Sequence, residues 1–74
     1  MSNAEKIFVR LVDEAVPVWR PVQAVCVHGN VYEIVDQPYE RAVETWQFAP
    51  GDTVIVEHLD TDDGEIPAAV KRSD

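Results

Sequence analysis

Apolar and polar residues alternate along several short stretches of this chain, the pattern of strands that bury one face. In the first stretch, Ile7, Val9 and Leu11 fall on one face, although Phe8 and Val12 add apolar surface to the other. No stretch repeats apolar positions at helical spacing over a helical length. The pattern therefore predicts strands over residues 6–12, 22–28, 31–36, 53–59 and 66–72.

The segments between these stretches contain residues that turn or break the chain. Pro50 presets φ and Gly51 accepts a positive φ, so a sharp reversal is predicted just before the fourth strand. Gly29-Asn30 and Asp63-Gly64 are predicted to sit in hairpin turns. Pro17 and Pro21 exclude a helix interior between the first two strands. Each break therefore falls between two predicted strands.

The polar segment 37–45 is the one place where a helical turn is conceivable from the sequence. Glu40 and Glu44 would then stand one turn apart as a like-charge pair, which destabilises a helix. We therefore predict a long loop here.

These elements predict an all-β protein, a small five-stranded SH3-like barrel that is partly open and has no substantial helix. Closing a sheet also hides its edges, which Val-rich strands need. A five-stranded oligonucleotide-binding barrel is the alternative, disfavoured by length and charge. Residues 1–74 are predicted to form one domain with a tail at 72–74. Residues 1–4 fit a remnant of tag cleavage or a disordered start as well as a native one, and they enter no fold argument.

Charge narrows the classes of partner. The chain has 14 acidic and 6 basic side chains and a formal net charge of −8 at pH 7. Nucleic-acid binders depend on Lys and Arg at the phosphates, so we expect no nucleic acid and, for the same reason, no membrane surface as a partner. The charge suits solubility, and it also suits attraction to a basic protein. Both explanations stay open.

Cysteine usage and hydropathy bear on location. The single cysteine, Cys26, cannot form an intramolecular disulfide, and the sequence shows neither a leader pattern nor an apolar run of membrane-spanning length. We therefore expect a reduced, cytoplasmic setting. A chain this small has a thin margin of buried surface, so we expect a monomer or a weak homodimer.

The aromatic residues are the first candidates for a binding surface. In an extended segment Trp46 and Phe48 share a face, and Tyr39 precedes them in a loop. Arg20 follows Trp19, and its planar guanidinium could stack on a ring or hold a carboxylate. The alternative is that the tryptophans plug the barrel ends. The predicted ligand-binding or partner-binding residues are Trp19, Arg20, Tyr39, Trp46 and Phe48.

Cys26, His28 and His58 are the candidates for metal binding or catalysis. Cys26 and His28 fall on one face of the second predicted strand, and thiolate and imidazole are zinc ligands. No Cys-x-x-Cys spacing supports such a site. Residues two apart on one strand rarely aim at each other, as a nucleophile and its base must. We expect no metal, no cofactor and no catalytic residue.

An acidic run precedes Gly64 at the last predicted hairpin. It misses the spacing of a calcium loop, because the glycine falls one position early and no glutamate closes the pattern. A solvated turn accounts for it, and contact with a basic partner is the alternative. The residues of this acidic contact patch are Asp60, Asp62, Asp63 and Glu65.

Three blocks of sequence carry a resemblance. They are Val18-Trp19-Arg20-Pro21-Val22, Val31-Tyr32-Glu33-Ile34, and Glu44-x-Trp46-x-Phe48-x-Pro50-Gly51-Asp52-x-Val54. In this order the chain resembles a group of small uncharacterised bacterial β-domain proteins. The resemblance implies a bacterial origin and a small β domain, and no activity. The Pro-Gly-Asp-x-Val-x-Val stretch is more distantly similar to strand starts in SH3-like barrels, an analogy of fold alone.

Together these features predict a non-catalytic binding or accessory module for a protein or peptide. The alternative is an acidic inhibitor or regulator that covers a basic protein.

Overall fold

The computed structural model describes residues 4–62 and 64–73. Within these ranges the chain forms no helix, and the strands, in chain order, are β1 (Glu5–Arg10), β2 (Trp19–His28), β3 (Val31–Ile34), β4 (Thr53–Thr61) and β5 (Gly64–Arg72). The described residues accordingly offer no helix with the length and apolar character needed to cross a bilayer. Of the predicted tail, Arg72 belongs to β5, Ser73 follows it and Asp74 lies outside the described residues.

The strands form one closed barrel in the order β1-β2-β3-β4-β5. Successive strands pair antiparallel, and β5 returns to β1 in a parallel pairing at Phe8 and Ala68. The prediction of an all-β, five-stranded SH3-like barrel is confirmed for the described residues. The barrel is closed where we expected it to be partly open, because β5 reaches β1.

The core follows from the alternation of side chains. Ile7 and Val9 of β1 are almost fully buried, and Val22, the cross-strand partner of Ile7, is buried with them. Burial of each such side chain contributes about 1.5–3 kcal/mol. The core cluster is completed by residues from β2 to β5, from the position directly after β1 and from the segment after β3: Leu11, Ala24, Ile34, Trp46, Phe48, Val54, Val56 and Ala69.

The second strand starts three residues earlier than predicted, at Trp19, and runs through Pro21. The Gln23 N–H points towards the β3 side of β2, where it bonds Gln37. Backbone direction repeats every two residues, so the Pro21 nitrogen points the same way, beyond the end of β3. No ladder hydrogen bond is lost there, and the strand tolerates the proline.

Strands β2 and β3 depart from the predicted pattern at two places. Cys26 and His28 are exposed, and the register shifts between them where β2 meets the start of β3. At its other end β3 stops at Ile34, two residues short of the prediction. There the Gln37 side chain bonds the N–H and C=O of Gln23, as a strand residue would.

The turn before β4 is the one predicted. Pro50 and Gly51 are its central residues, Gly51 has φ +97°, and the Asp52 N–H donates to the Ala49 carbonyl over 3.0 Å. These are features of a type II turn, which requires a positive φ at the position of Gly51. The turn brings the Gly51 N–H to the Ile34 carbonyl at 2.7 Å, and so joins the start of β4 to the end of β3.

Candidate functional site

Trp19 and Arg20 are consecutive residues of β2 and therefore point to opposite faces of the sheet. Arg20 lies opposite the buried Val9 and shares its face, at the end of the barrel. Trp19 lies opposite the exposed Arg10 and is half-buried. The two side chains consequently enter two different grooves.

The groove that contains Arg20, here called the Arg20 groove, has a volume of about 300 Å³. Its main polar feature is an ion pair between two residues of this chain, Arg20 and Glu44. Arg20 Nε donates to Glu44 Oε1 over 2.8 Å, and a terminal Arg20 nitrogen donates to Glu44 Oε2 over 2.6 Å. The other lining residues are Pro21, Gln37, Pro38, Glu40, Val43 and Trp46.

Glu44 also connects this ion pair to the core. Its Oε1 accepts the indole N–H of Trp46 over 2.7 Å. The hydrogen bond from Arg20, followed by the one from Trp46, lowers the pKa of the Glu44 carboxyl against the opposing effect of burial. The same pairing raises the pKa of Arg20. Arg20 is therefore already occupied by a carboxylate of its own chain.

Trp46 lines the Arg20 groove, and Tyr39 packs against it. Their rings are stacked with centroids 4.2 Å apart and planes 15° apart, and the Tyr39 hydroxyl oxygen accepts the Trp46 backbone N–H over 2.6 Å. Arg41 lies over the Tyr39 ring, 5.2 Å from its centroid. The loop between β3 and β4 is thus attached to the barrel end by its aromatic residues.

The five aromatic and arginine candidates are therefore separated by the fold. Trp46 is 7 % exposed and Phe48 is 5 % exposed, and both belong to the core cluster. Of the two alternatives given for the tryptophans, barrel plug or partner contact, the burial of Trp46 supports the plug, and Phe48 is buried with it. Tyr39 is half-buried against Trp46, and Arg20 is held by Glu44. Trp19, by contrast, lines a second groove that is separate from the Arg20 groove.

This second groove, here called the Trp19 groove, has a volume of about 550 Å³. One wall is the loop before β2, which is closed at its base by a hydrogen bond from the Leu11 N–H to the Val18 carbonyl. The other wall is the end of β4 and the turn after it. The lining residues are Val16, Pro17 and Trp19 on the loop side and Leu59, Asp60, Thr61 and Asp62 on the strand side.

The Trp19 groove combines an apolar surface with negative charge. Val16 is 64 % exposed, and Asp60 and Asp62 are exposed beside it. Among the described residues, no hydrogen bond or ion pair engages either carboxylate. Glu65, the fourth member of the predicted acidic patch, lies opposite Asp60 in the ladder. The remaining member, Asp63, lies outside the described residues.

Cations cover aromatic rings elsewhere in this molecule. Lys6 lies over Phe8 at 5.9 Å, and Arg72 lies over Phe48 at 5.8 Å. Within residues 4–62 and 64–73, no such cation lies over Trp19. Trp19 therefore presents a ring face that the described part of the chain does not use in this way.

The strand side of the Trp19 groove is an outer edge of the sheet. The last contact of β4 towards β3 is the Val56 N–H, which donates to the Asn30 carbonyl over 2.8 Å. Backbone direction alternates along a strand, so the backbone groups of His58 and Asp60 point the same way as that N–H. Beyond Val56, no described strand pairs with β4 on this side. Leu59, Asp60 and Thr61, which line the groove, all belong to this part of β4 beyond Val56.

Sequence reasoning missed this edge for a physical reason. The antiparallel register places Val31, the first residue of β3, opposite Ile55, so β4 beyond Val56 runs past the Gly29-Asn30 turn with no described strand beside it on this side. The alternation of apolar and polar residues predicts strands but does not give this register. Val16, Pro17 and Leu59 were also left out of the candidates, because only the topology brings the loop before β2 to the end of β4. The apolar residues directly before Trp19 were the available signal.

Cys26, His28 and His58 are not brought together as a chemical site. Cys26 is exposed, and its thiol donates to the Gly29 carbonyl over 3.5 Å. Both histidines are exposed. Within the described ranges, no three His, Cys, Asp or Glu side chains are placed to hold a metal ion. Burial, followed by the charges of Glu5 and Cys26, raises the pKa of Tyr32, the cross-strand neighbour of Cys26.

Comparisons of this chain with family models, with curated proteins and with solved structures gave no match.

Proposed function

We propose that this protein is a non-catalytic binding module that takes an extended peptide segment along the outer edge of β4, beside the Trp19 groove. The observation that carries the proposal is the juxtaposition of an unpaired strand edge with an apolar groove. Strand addition supplies backbone hydrogen bonds, and a pocket beside the edge selects a side chain. The resemblance to small bacterial domains and the expected cytoplasmic setting belong to the same proposal.

Backbone groups supply the affinity in this scheme. The N–H and C=O of His58 and Asp60 face away from β5, in line with the Val56 N–H that already bonds Asn30. A peptide lying antiparallel or parallel to β4 would continue the sheet at this edge. Edge strands in native proteins are commonly blunted by charge, and Glu57 and Asp60 are exposed here. The peptide must therefore be compatible with negative charge.

In this proposal Trp19 provides the contact that selects one side chain of the bound peptide. A half-buried tryptophan gives a large apolar contact at a low cost in side-chain entropy, which is why such residues dominate binding energy at interfaces. Because Trp46 and Phe48 are in the core, replacing Trp19 removes this surface without opening the barrel end.

Selection from a displayed library of short random peptides tests the proposal. Peptides enriched on the wild type should bind Trp19→Ala about tenfold or more weakly, a loss typical of an interface hot spot. They should also bind His58→Pro weakly, since proline removes the outward N–H. His58→Ala is the matched control, because it keeps that N–H and should bind as the wild type does.

The variants must first be shown to fold, by their unfolding midpoints and by the indole N–H signal of Trp46. Enrichment of no peptide, or of peptides that bind Trp19→Ala and His58→Pro as tightly as the wild type, would overturn the proposal.

A further inference from the structure

Resting on the proposed function, we infer that the side chain seated in the Trp19 groove is an arginine, so that the partner is a basic extended segment. The groove offers three things that one arginine can use together. They are an aromatic face, an apolar wall and two carboxylates at the rim.

The aromatic face belongs to Trp19. A guanidinium is planar and weakly hydrated, so it stacks on an indole more readily than an ammonium does. Lys6 and Arg72 take positions of this kind over Phe8 and Phe48. Over Trp19 that position is not taken by a described residue. Arg10 is the cross-strand neighbour of Trp19, but it is not a lining residue of the groove.

The apolar wall suits the stem of the same side chain. Val16, Pro17 and Leu59 lie along the groove, and arginine buries its methylene groups on such surfaces while its charge remains at the rim. A purely apolar side chain would use this wall as well. The rim therefore decides between the two kinds of ligand.

The rim is anionic. Asp60 and Asp62 line the groove, and no Lys or Arg is among its lining residues. The chain as a whole carries a net charge of −8, which favours the approach of a basic partner at low salt. The carboxylates can accept guanidinium N–H groups in forked geometry while the flat face of the guanidinium stays on the ring.

The contrast with the Arg20 groove supports this assignment. In that groove the chain itself supplies the ring, the carboxylate and the arginine: Arg20 makes forked hydrogen bonds to Glu44, and Glu44 accepts the indole N–H of Trp46. The Trp19 groove repeats the ring and the carboxylates, and the described residues supply no arginine for it. The partner supplies the missing cation.

A defined set of peptides tests the inference. Each is a short, capped peptide of alternating threonine and valine with one central residue, which is arginine, lysine, citrulline or leucine. Citrulline keeps the shape of arginine and lacks its charge. Binding is followed through the indole N–H signals in ¹⁵N–¹H spectra, where Trp19 reports on the groove and Trp46 in the core is the internal reference.

The arginine peptide should shift the Trp19 signal and leave the Trp46 signal nearly unchanged. It should bind about tenfold more tightly than the citrulline peptide, with lysine between them. Asp60→Asn with Asp62→Asn should weaken the arginine peptide by a similar factor. Glu33→Gln with Asp36→Asn is the control, since it removes the same amount of charge from exposed positions outside this groove and should have little effect.

Trp19→Leu adds a variant that keeps apolar surface and loses the ring, and it should bind the arginine peptide weakly. Equal binding of the arginine, citrulline and leucine peptides, still dependent on the outward N–H at position 58, would overturn the arginine inference and leave the proposed function standing. Equal losses in the two double variants would attribute the attraction to net charge and overturn the groove assignment. A Trp19 signal unmoved by every peptide would count against both proposals.

Discussion

A buried tryptophan brings a polar N–H into the core, and the position of its acceptor shapes this barrel end. Glu44 accepts the Trp46 indole N–H and also the guanidinium of Arg20. Its side chain is only 14 % exposed, against 47 % for Arg20. One carboxylate therefore satisfies a core ring and anchors a strand residue, and the loop between β3 and β4 is fixed at that point.

Replacing Glu44 with Gln should lower the free energy of unfolding at neutral pH by about 1 kcal/mol, since the ion pair is lost while the amide oxygen still accepts the indole N–H. The pKa of Glu44 is lower in the folded chain than its ordinary value of 4.5. Its contribution to stability is therefore complete above that pH and is lost as the pH falls through the folded-state pKa.

Urea unfolding of the wild type and Glu44→Gln across this acidic range measures the effect, and the difference between the two proteins should shrink as the pH falls. Glu40→Gln is the control in the same loop and should follow the wild type. A difference that stays constant with pH would show that the ion pair contributes nothing.

At the scale of the element, a side chain completes a strand. The Gln37 amide accepts the Gln23 N–H over 3.0 Å, and donates to the carbonyls of Gln23 and Val35 over 2.9 and 2.8 Å. These bonds occupy the edge of β2 next to the end of β3, where the Gln23 N–H would otherwise depend on water, whereas the Gln23 carbonyl also accepts the Val35 N–H over 3.2 Å. The loop thereby continues the sheet without continuing the strand.

Gln37→Met keeps the length of the side chain and removes these bonds. It should lower the free energy of unfolding by about 1–2 kcal/mol and speed hydrogen exchange at the Gln23 amide. Gln23→Ala is the control, because the bonds use the backbone of that residue, and it should change little. Unchanged exchange at Gln23 in the methionine variant would show that water replaces Gln37 without cost.

The elements also show which features the sequence could predict. The alternation of Ile7, Val9 and Leu11 identified β1 and its buried face, and Pro50-Gly51 identified the turn before β4. Such signals lie within a few neighbouring residues. The start of β2 was not predictable in this way, because Pro21 is tolerated only through the direction in which its nitrogen points in the ladder.

The candidate site was less predictable than the fold. Trp19 was among the proposed contacts, but its groove depends on Leu59 and Asp60, which are brought to it by the closure of the barrel. Trp46 and Phe48 are aromatic residues that the sequence offered as contacts on the same grounds as Trp19, yet they are buried. A strand pattern alone does not say which of several aromatic residues will cover a barrel end and which will remain at a surface.

At the scale of the whole molecule, charge acts over distances comparable with the protein itself. The molecule measures 36 × 28 × 22 Å along its principal axes and carries a net charge of −8. The Debye length is about 30 Å at 0.01 M salt and about 10 Å at 0.1 M. In dilute buffer the acidic side chains therefore repel one another across the barrel, against the attraction of local ion pairs such as Arg20–Glu44 and Arg72–Asp52.

Sodium chloride should raise the midpoint of thermal unfolding, because it screens this net repulsion. If the repulsion is about 1 kcal/mol, the rise is about 4–8 °C for a domain of this size. Glu33→Gln with Asp36→Asn should show a smaller rise, since it begins with less repulsion. A midpoint that falls with salt would mean that the ion pairs outweigh the repulsion. The same salt should weaken binding of the arginine peptide, and because the fold becomes more stable under those conditions, that weakening cannot be caused by unfolding.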